Sequence, residues 1–280
     1  MELILFSLLN GPVGVVVKLT HGLNPYAIVF SRAVIASVFL LGFMTIRKRM
    51  KEVVLHDPPM TIAVGVFQGI SILLFFLALQ KISVSNAVFL VYTAPIFSVI
   101  LARLFLKETI DKTTIPGVIL SVIGILFILD PRTLSINSAS MIGNMLALGS
   151  GFLYAAMGMV AKPLTTKLSG YTLVFWQYLV ISILFSPVLL HTPIQQFFFN
   201  WWQLFVIGIV STGIAFVLFM EGVQKVKGQK VFIVTSLEPL VGTLAAAVML
   251  KEIPSLFTVF GALLIFGGVY MVTTVQRKLI

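Results

Sequence analysis

Ten apolar runs, each long enough to cross a bilayer as a helix, constrain this chain more than any other feature. They lie near 2–20, 26–46, 60–80, 84–106, 113–129, 140–161, 170–190, 202–224, 229–250 and 256–275. Roughly 20 mostly apolar residues suffice to span about 30 Å of hydrocarbon. The connections left between the runs are too short for a soluble domain. Only 10% of the 280 residues are charged and 59% are hydrophobic, whereas soluble domains carry about 25% charged residues. The sequence therefore predicts an all-α integral membrane protein with ten transmembrane helices. No basic region precedes the first run and no small-residue cleavage site follows it, so it is expected to be the first helix rather than a signal peptide.

The chain has 19 Lys plus Arg against 9 Asp plus Glu, but the basic residues sit mainly between apolar runs. That distribution speaks for topology and against a nucleic-acid partner. With a cytoplasmic N-terminus, the inner loops and tail collect Arg47, Lys48, Arg49, Lys51, Lys107, Lys112, Lys162, Lys167, Lys225, Lys227, Lys230, Arg277 and Lys278. The outer ends keep Lys18, Lys81, Arg132 and Lys251. Short loops obey the positive-inside rule, so a multi-pass protein of the cell membrane with both termini cytoplasmic is expected. The Phe197 to Trp202 stretch, FFFNWW, then falls at the outer interface, where aromatic belts form. With no cysteine, disulfides, thiolate metal sites and cysteine nucleophiles are excluded. No metal and no cofactor are expected.

A shift of the sequence against itself by 144 positions uncovers a repeat. Without a gap, Gly69, Leu74, Phe75, Gln80, Lys81, Pro95, Lys107, Glu108, Gly117 and Gly124 meet Gly213, Leu218, Phe219, Gln224, Lys225, Pro239, Lys251, Glu252, Gly261 and Gly268. Gly14 and Lys18 likewise meet Gly158 and Lys162. The expected units are residues 1–136 and 137–280, with five helices each. An odd number of helices inverts the second unit in the membrane, and inverted repeats around a central cavity are a construction principle of secondary transporters.

The chain resembles the ten-helix, EamA-type branch of the drug/metabolite transporter superfamily over essentially its whole length. The likeness rests on the NGPVGVVVK run of the first helix, Arg32, TAPIFSVILARLFLKE before a Gly-rich fifth helix, and LEPLVGTLAAAVMLKE in the second unit. It implies export or uptake of small metabolites, a class that spans amino acids, sugars, nucleotide derivatives and drugs. Fold does not choose among them.

Pro95 and Pro239 fall in mid-span. Each lacks an amide donor and frees the carbonyl four residues earlier, at Val91 and Thr235, so kinks that act as hinges are expected. Polar residues also pair across the repeat: Asn10 with Tyr154, Gln68 with Thr212, Tyr92 with Ser236. Polar groups avoid lipid, so these should line a shared cavity while helices five and ten serve as scaffold. Trp176 and Gln177, with Tyr178, add aromatic surface and neutral hydrogen-bonding groups suited to a small amphipathic or zwitterionic solute. Trp176 occupies the repeat position of Arg32, for which anchoring or structural pairing is expected and substrate-anion recognition is the alternative. Glu238, just before Pro239, is the key side chain. An ionised carboxylate at that depth costs at least a few kcal/mol unless hydrated or paired. It is expected to contact a cationic or amino-bearing substrate or to carry a coupling proton; a buried structural pair with Arg32, or a Glu held protonated for packing, is the bland alternative. The substrate-binding set is thus Asn10, Gln68, Tyr92, Tyr154, Trp176, Gln177, Ser236 and Glu238.

The expected function is a secondary carrier, with export as its direction, for small metabolites such as amino acids or related amphipathic solutes. Its partners would be that solute and the lipid bilayer, with monomer and homodimer both open. A channel or facilitator is the alternative. A membrane-embedded enzyme is a weaker one: His21, His56 and His191 lie in loops, and HExxH, GxSxG and P-loop motifs are missing.

Overall fold

The structure is a computed structural model describing residues 1–82, 84–128, 140–250 and 256–274. Arg132, Lys251, Glu252, Arg277, Lys278 and the boundary at 136/137 lie outside the described residues. Each of the ten apolar runs is helical where it is described. In chain order the helices are α1 (Glu2–Asn10), α2 (Val13–Lys18), α3 (Pro25–Ile46), α4 (Pro58–Leu79), α5 (Val84–Val91), α6 (Ala94–Phe105), α7 (Thr114–Ile128), α8 (Met141–Leu164) and α9 (Gly170–Phe185). They continue as α10 (Ile194–Phe199), α11 (Trp201–Phe205), a π-helical stretch Val206–Ile214 running into α12 (Ala215–Lys225), then α13 (Gly228–Thr235), α14 (Leu237–Leu250) and α15 (Leu256–Thr274). Among the described residues, six helices are long and apolar enough to cross a membrane, and four shorter apolar helices occupy the other runs. Large apolar side chains such as Val38, Ile46, Leu104, Phe105, Ile183 and Val248 are exposed on the outside. A lipid-facing surface explains them, because hydrocarbon carries no penalty for exposed apolar groups. The molecule is an all-α membrane protein.

Helix starts follow local chemistry. The Asn24 side chain accepts from the Ala27 amide at 2.8 Å and Pro25 opens α3. Asp57 and Pro58 repeat this arrangement at α4. Both use an oxygen cap with a proline whose missing donor would have been unpaired anyway.

Three spans are interrupted. α5 gives way to α6 at Tyr92–Thr93, just before Pro95, and α13 to α14 at Ser236, just before Pro239. The third break, between α1 and α2 at Gly11–Pro12, was not expected. Pro12 has no amide to give to the Leu8 carbonyl, so the ladder fails there. A Cβ on Gly242 would stand 2.9 Å from the Gly11 carbonyl oxygen, and one on Gly11 would stand 2.7 Å from the Val241 Cβ. The broken first span therefore packs backbone to backbone against α14.

The remaining packing frames these breaks. α4 lies along α8, and α3 and α4 both pack on α9. α7 pairs with α15, where Gly124 meets the Gly261 carbonyl and Gly268 meets the Gly117 carbonyl, each leaving under 3 Å for a Cβ. Small residues let the two backbones close up, as van der Waals packing in a membrane requires. Away from them, Asn200 accepts from the His21 amide at 2.8 Å and donates to its carbonyl at 2.9 Å, tying the exposed Phe198, Phe199, Trp201 and Trp202 belt to the turn after α2.

Candidate functional site

The three interrupted spans converge. α1 ends on Asn10, α5 ends beside Tyr92, and α14 begins with Leu237 and Glu238. Glu238 is 4% exposed, and its carboxylate accepts from Asn10 Nδ2 at 2.5 Å and from the Tyr154 hydroxyl of α8 at 3.4 Å. The Tyr92 hydroxyl stands beside the same carboxylate. Asn10 and Tyr154, which occupy corresponding positions 144 residues apart, thus hold one acid between them. The Val91 carbonyl, freed by Pro95, abuts α8, where a Cβ on Gly151 would lie 2.6 Å from it.

A second group lies beside the first. Arg32 of α3 is 5% exposed, and its Nε donates to Thr212 Oγ1 at 3.0 Å. Thr212 belongs to the π-helical stretch and donates to the Ile207 carbonyl five residues back at 2.7 Å. The wider turn gives that hydroxyl both an acceptor and a buried donor. π-bulges of this kind are frequent at functional sites. Gly208 and Gly213 bring the stretch onto Ile35 and Phe39 of α3. The Tyr178 hydroxyl neighbours Arg32 and Gln68, yet makes no hydrogen bond of good geometry. Arg32 is within electrostatic reach of Glu238, but the two are farther apart than the 4.0 Å of an ion pair. The structural Arg32–Glu238 pair weighed from the sequence is therefore not formed.

Several buried polar atoms have no partner among the described residues: Asn10 Oδ1, Gln68 Oε1 and Tyr178 Oη within these two groups, and Trp176 Nε1 and both amide atoms of Gln177 on α9. Of the eight expected site residues, Asn10, Tyr92, Tyr154 and Glu238 meet directly, and Gln68 sits with Arg32 and Tyr178. Trp176 and Gln177 are adjacent on α9. Ser236 is fully buried, but its hydroxyl donates to the Phe232 carbonyl at 2.9 Å, a bond within its own span. Sequence reasoning placed Arg32 mainly as an anchor, and it missed a packed aromatic group. Phe6, Phe216, Phe219 and Phe232 join ring to ring and bridge Tyr154 to Tyr178, with centroid separations of 4.8 to 6.1 Å. Apart from Phe219, which matches Phe75 across the repeat, nothing but their aromatic character marked these four among 24 phenylalanines.

A different polar cluster closes the end of the bundle that holds residues 106–113. Glu108 accepts from the amides of Gly228 and Gln229 at 2.9 and 3.3 Å, capping α13 from another span. Gln229 Oε1 accepts from the Asp111 amide and the Thr114 hydroxyl, and its Nε2 donates to the Thr109 carbonyl. Lys227 and Lys230 flank Asp111 at 2.5 and 2.9 Å. Burial alone would raise the Asp111 carboxyl, but the hydrogen bonds from these two lysines outweigh it and hold the carboxyl below its usual range. Glu108 thus acts as a cap for the start of α13. Glu221 lines a shallow, polar surface pocket of about 440 Å³ with Thr165–Gly170, Gln224 and Lys225, as a solvated interfacial group would.

Known proteins with similar sequences are transporters. The chain is 24% identical to the uncharacterized transporter YxxF of Bacillus subtilis (strain 168), over 99% of this chain and 89% of the other. It is 28% identical to an uncharacterized transporter of Archaeoglobus fulgidus over 89% of each. It is also 26% identical to the pseudopaline exporter CntI of Pseudomonas aeruginosa, covering 74% of this chain and 70% of that one. A solved crystal structure superposes with a TM-score of 0.84 at 16% identity, over 99% of this chain and 97% of the other, which shows a shared fold. The model of the EamA-like transporter family matches residues 3–130 and again 141–274. With its ten apolar helical runs and a buried polar cluster at their centre, the chain belongs to the EamA-like transporter family and is a membrane transporter rather than an enzyme.

Proposed function

We propose that this transporter is a secondary carrier that moves small metabolites, such as amino acids or related amphipathic solutes, across the cell membrane by alternating access. The two five-helix units, 1–136 and 137–280, are inverted copies, both termini are cytoplasmic, and export is the working direction. The pseudopaline exporter among its relatives is in keeping with that direction. The observation that carries the proposal is the buried Glu238 carboxylate at the break of the ninth span, gripped by Asn10 and Tyr154 from corresponding places in the two units. A charged group at the bilayer centre costs at least about 2.5–3.5 kcal/mol. Solute binding gives the protein a reason to keep it. The proposed substrate-binding residues are Asn10, Gln68, Tyr92, Tyr154, Trp176, Gln177, Ser236 and Glu238.

In this topology the Phe6, Phe216, Phe219 and Phe232 group and the Glu108–Gln229 cluster both lie on the cytoplasmic side of Glu238. Opening that side parts them, with α5–α6 and α13–α14 bending about Pro95 and Pro239.

The test is solute exchange in proteoliposomes with the Glu238→Gln protein, which keeps the shape and loses the charge. For a substrate contact, apparent affinity falls by roughly 100-fold, in line with about 2–5 kcal/mol for a truncated buried charge pair, and any pH response of the wild type persists. A proton-coupling role shows instead as intact exchange with the response to a pH gradient lost. Wild-type affinity, rate and pH response together would remove Glu238 from the mechanism. Flux that never saturates and shows no counterflow would mark a channel.

A further inference from the structure

Among the described residues, Arg32 is a buried charge that no carboxylate compensates. It sits 5% exposed within the bundle, and its one hydrogen bond is from Nε to a neutral threonine hydroxyl. No carboxylate among the described residues lies within ion-pair distance of it. Its neighbours are polar and unsatisfied: the Tyr178 hydroxyl, fully buried, and Gln68 Oε1, 3% exposed, have no partner of good geometry. Asn10 Oδ1, beside the Glu238 carboxylate, is also buried and unpartnered. A guanidinium held for packing alone would be expected to find a carboxylate or backbone carbonyls, because an unpaired buried charge is strongly destabilising.

We propose that Arg32, with Thr212, Tyr178 and Gln68, forms a carboxylate-binding subsite, and that the solute is a zwitterion whose carboxylate meets Arg32 while its amine meets Glu238 and the Asn10 carbonyl oxygen. This rests on the carrier proposal and narrows its substrate class. The guanidinium fork matches a carboxylate in bidentate geometry. The Tyr178 hydroxyl can donate to the same anion, and Thr212 fixes the fork by accepting from Nε, leaving both terminal nitrogens for the solute. On the opposite side Asn10 gives its Nδ2 to Glu238 and keeps its oxygen for an ammonium donor. With Glu238 ionised, the two opposite charges, more than 4 Å apart, are both met by one bound molecule when that molecule bears both signs. An anion leaves Glu238 unpaired, a cation leaves Arg32 unpaired, and a neutral molecule leaves both. A site whose buried polar groups await partners rejects analogues that lack them.

The experiment uses the full chain in proteoliposomes, with counterflow into the lumen followed by mass spectrometry for three mixtures: the common free amino acids, their carboxamides and their N-acetyl derivatives. Wild type should take up members of the first mixture saturably and disfavour both derivative mixtures by at least roughly 10-fold. Arg32→Gln should lose the preference for acid over amide while still excluding N-acetyl compounds, and Glu238→Gln should show the mirror result. Arg32→Lys keeps the charge without the fork and should retain part of the acid preference, which separates recognition from a general folding defect. Amides entering as well as acids in wild type, an Arg32→Gln protein with the acid preference intact, or saturable counterflow confined to N-acetyl or amide compounds would overturn the zwitterion subsite and leave the carrier standing. Unsaturable entry of all three mixtures would instead overturn the carrier itself.

Discussion

Gln177 and Gln229 are both fully buried glutamines, yet they live in opposite circumstances. Gln229, at the start of α13, has its oxygen accepting from the Asp111 amide and the Thr114 hydroxyl and its nitrogen donating to the Thr109 carbonyl. Gln177, halfway along α9, has neither amide atom partnered among the described residues. In the interior of a protein an unmade hydrogen bond costs about 1–3 kcal/mol, more than a made one gains. The contrast therefore separates two kinds of buried polar group. Those around Gln229 are occupied in holding segments together. Gln177, like Gln68 Oε1 and the Tyr178 hydroxyl, is left without a partner among the described residues, and under the carrier proposal a solute would supply one.

The largest effect should come from breaking the satisfied side. Gln229→Leu strands the Asp111 amide, the Thr114 hydroxyl and the Thr109 carbonyl, at about 1–3 kcal/mol for each that stays dry. Unfolding in detergent should show a loss of roughly 2–4 kcal/mol. A neutral result would mean that the network is dispensable and that the contrast with Gln177 does not hold.

The matching substitution on the other side should have the opposite sign. Gln177→Met removes two unpaired groups in similar volume, so stability should be unchanged or rise by up to about 1 kcal/mol, while apparent solute affinity falls roughly 10-fold. A destabilised Gln177→Met protein would show that Gln177 is a structural residue.

The backbone extends the comparison. α7 and α15 run unbroken and carry almost no polar group at mid-depth, whereas three of the four spans that meet at Glu238 are broken, the unbroken α8 supplying Tyr154. Replacing both Pro95 and Pro239 by alanine should leave folded protein whose turnover falls several-fold with solute affinity nearly intact, measured as maximal rate against half-saturation. Unchanged kinetics would confine the two prolines to a packing role.

The smallest effect concerns pH at the satisfied cluster. Because Lys227 and Lys230 hold the Asp111 carboxyl below its usual range, its contribution is complete above the unfolded value of about 3.9 and is lost as pH falls through the lower folded one. Replacing Asp111 by Asn should therefore lower the melting temperature slightly and equally from pH 8 to pH 5. A difference that disappears already by pH 5 would contradict the sign of the shift.

The sequence by itself determined where the membrane is crossed. Partition into a bilayer is a local, nearly additive property of windows of about 20 residues, so spans near 26–46 or 60–80 coincide with Pro25–Ile46 and Pro58–Leu79 within a residue or two. Breaks at Pro95 and Pro239 were legible for an equally local reason, the missing amide. Pro12 lacks the same amide, and the first span breaks beside it as well. The 144-residue similarity also pointed to Asn10 and Tyr154 together. Only the tertiary structure decided which polar groups meet and which stay unpaired. Glu238 reaches Asn10 across 228 residues, and Arg32 reaches Thr212 across 180 through a π-helical turn. Such contacts depend on how helices pair and rotate, and no window of sequence holds that information. The same packing turned the Ser236 hydroxyl back onto its own span, left Arg32 without a carboxylate partner among the described residues, and gathered four phenylalanines between two tyrosines.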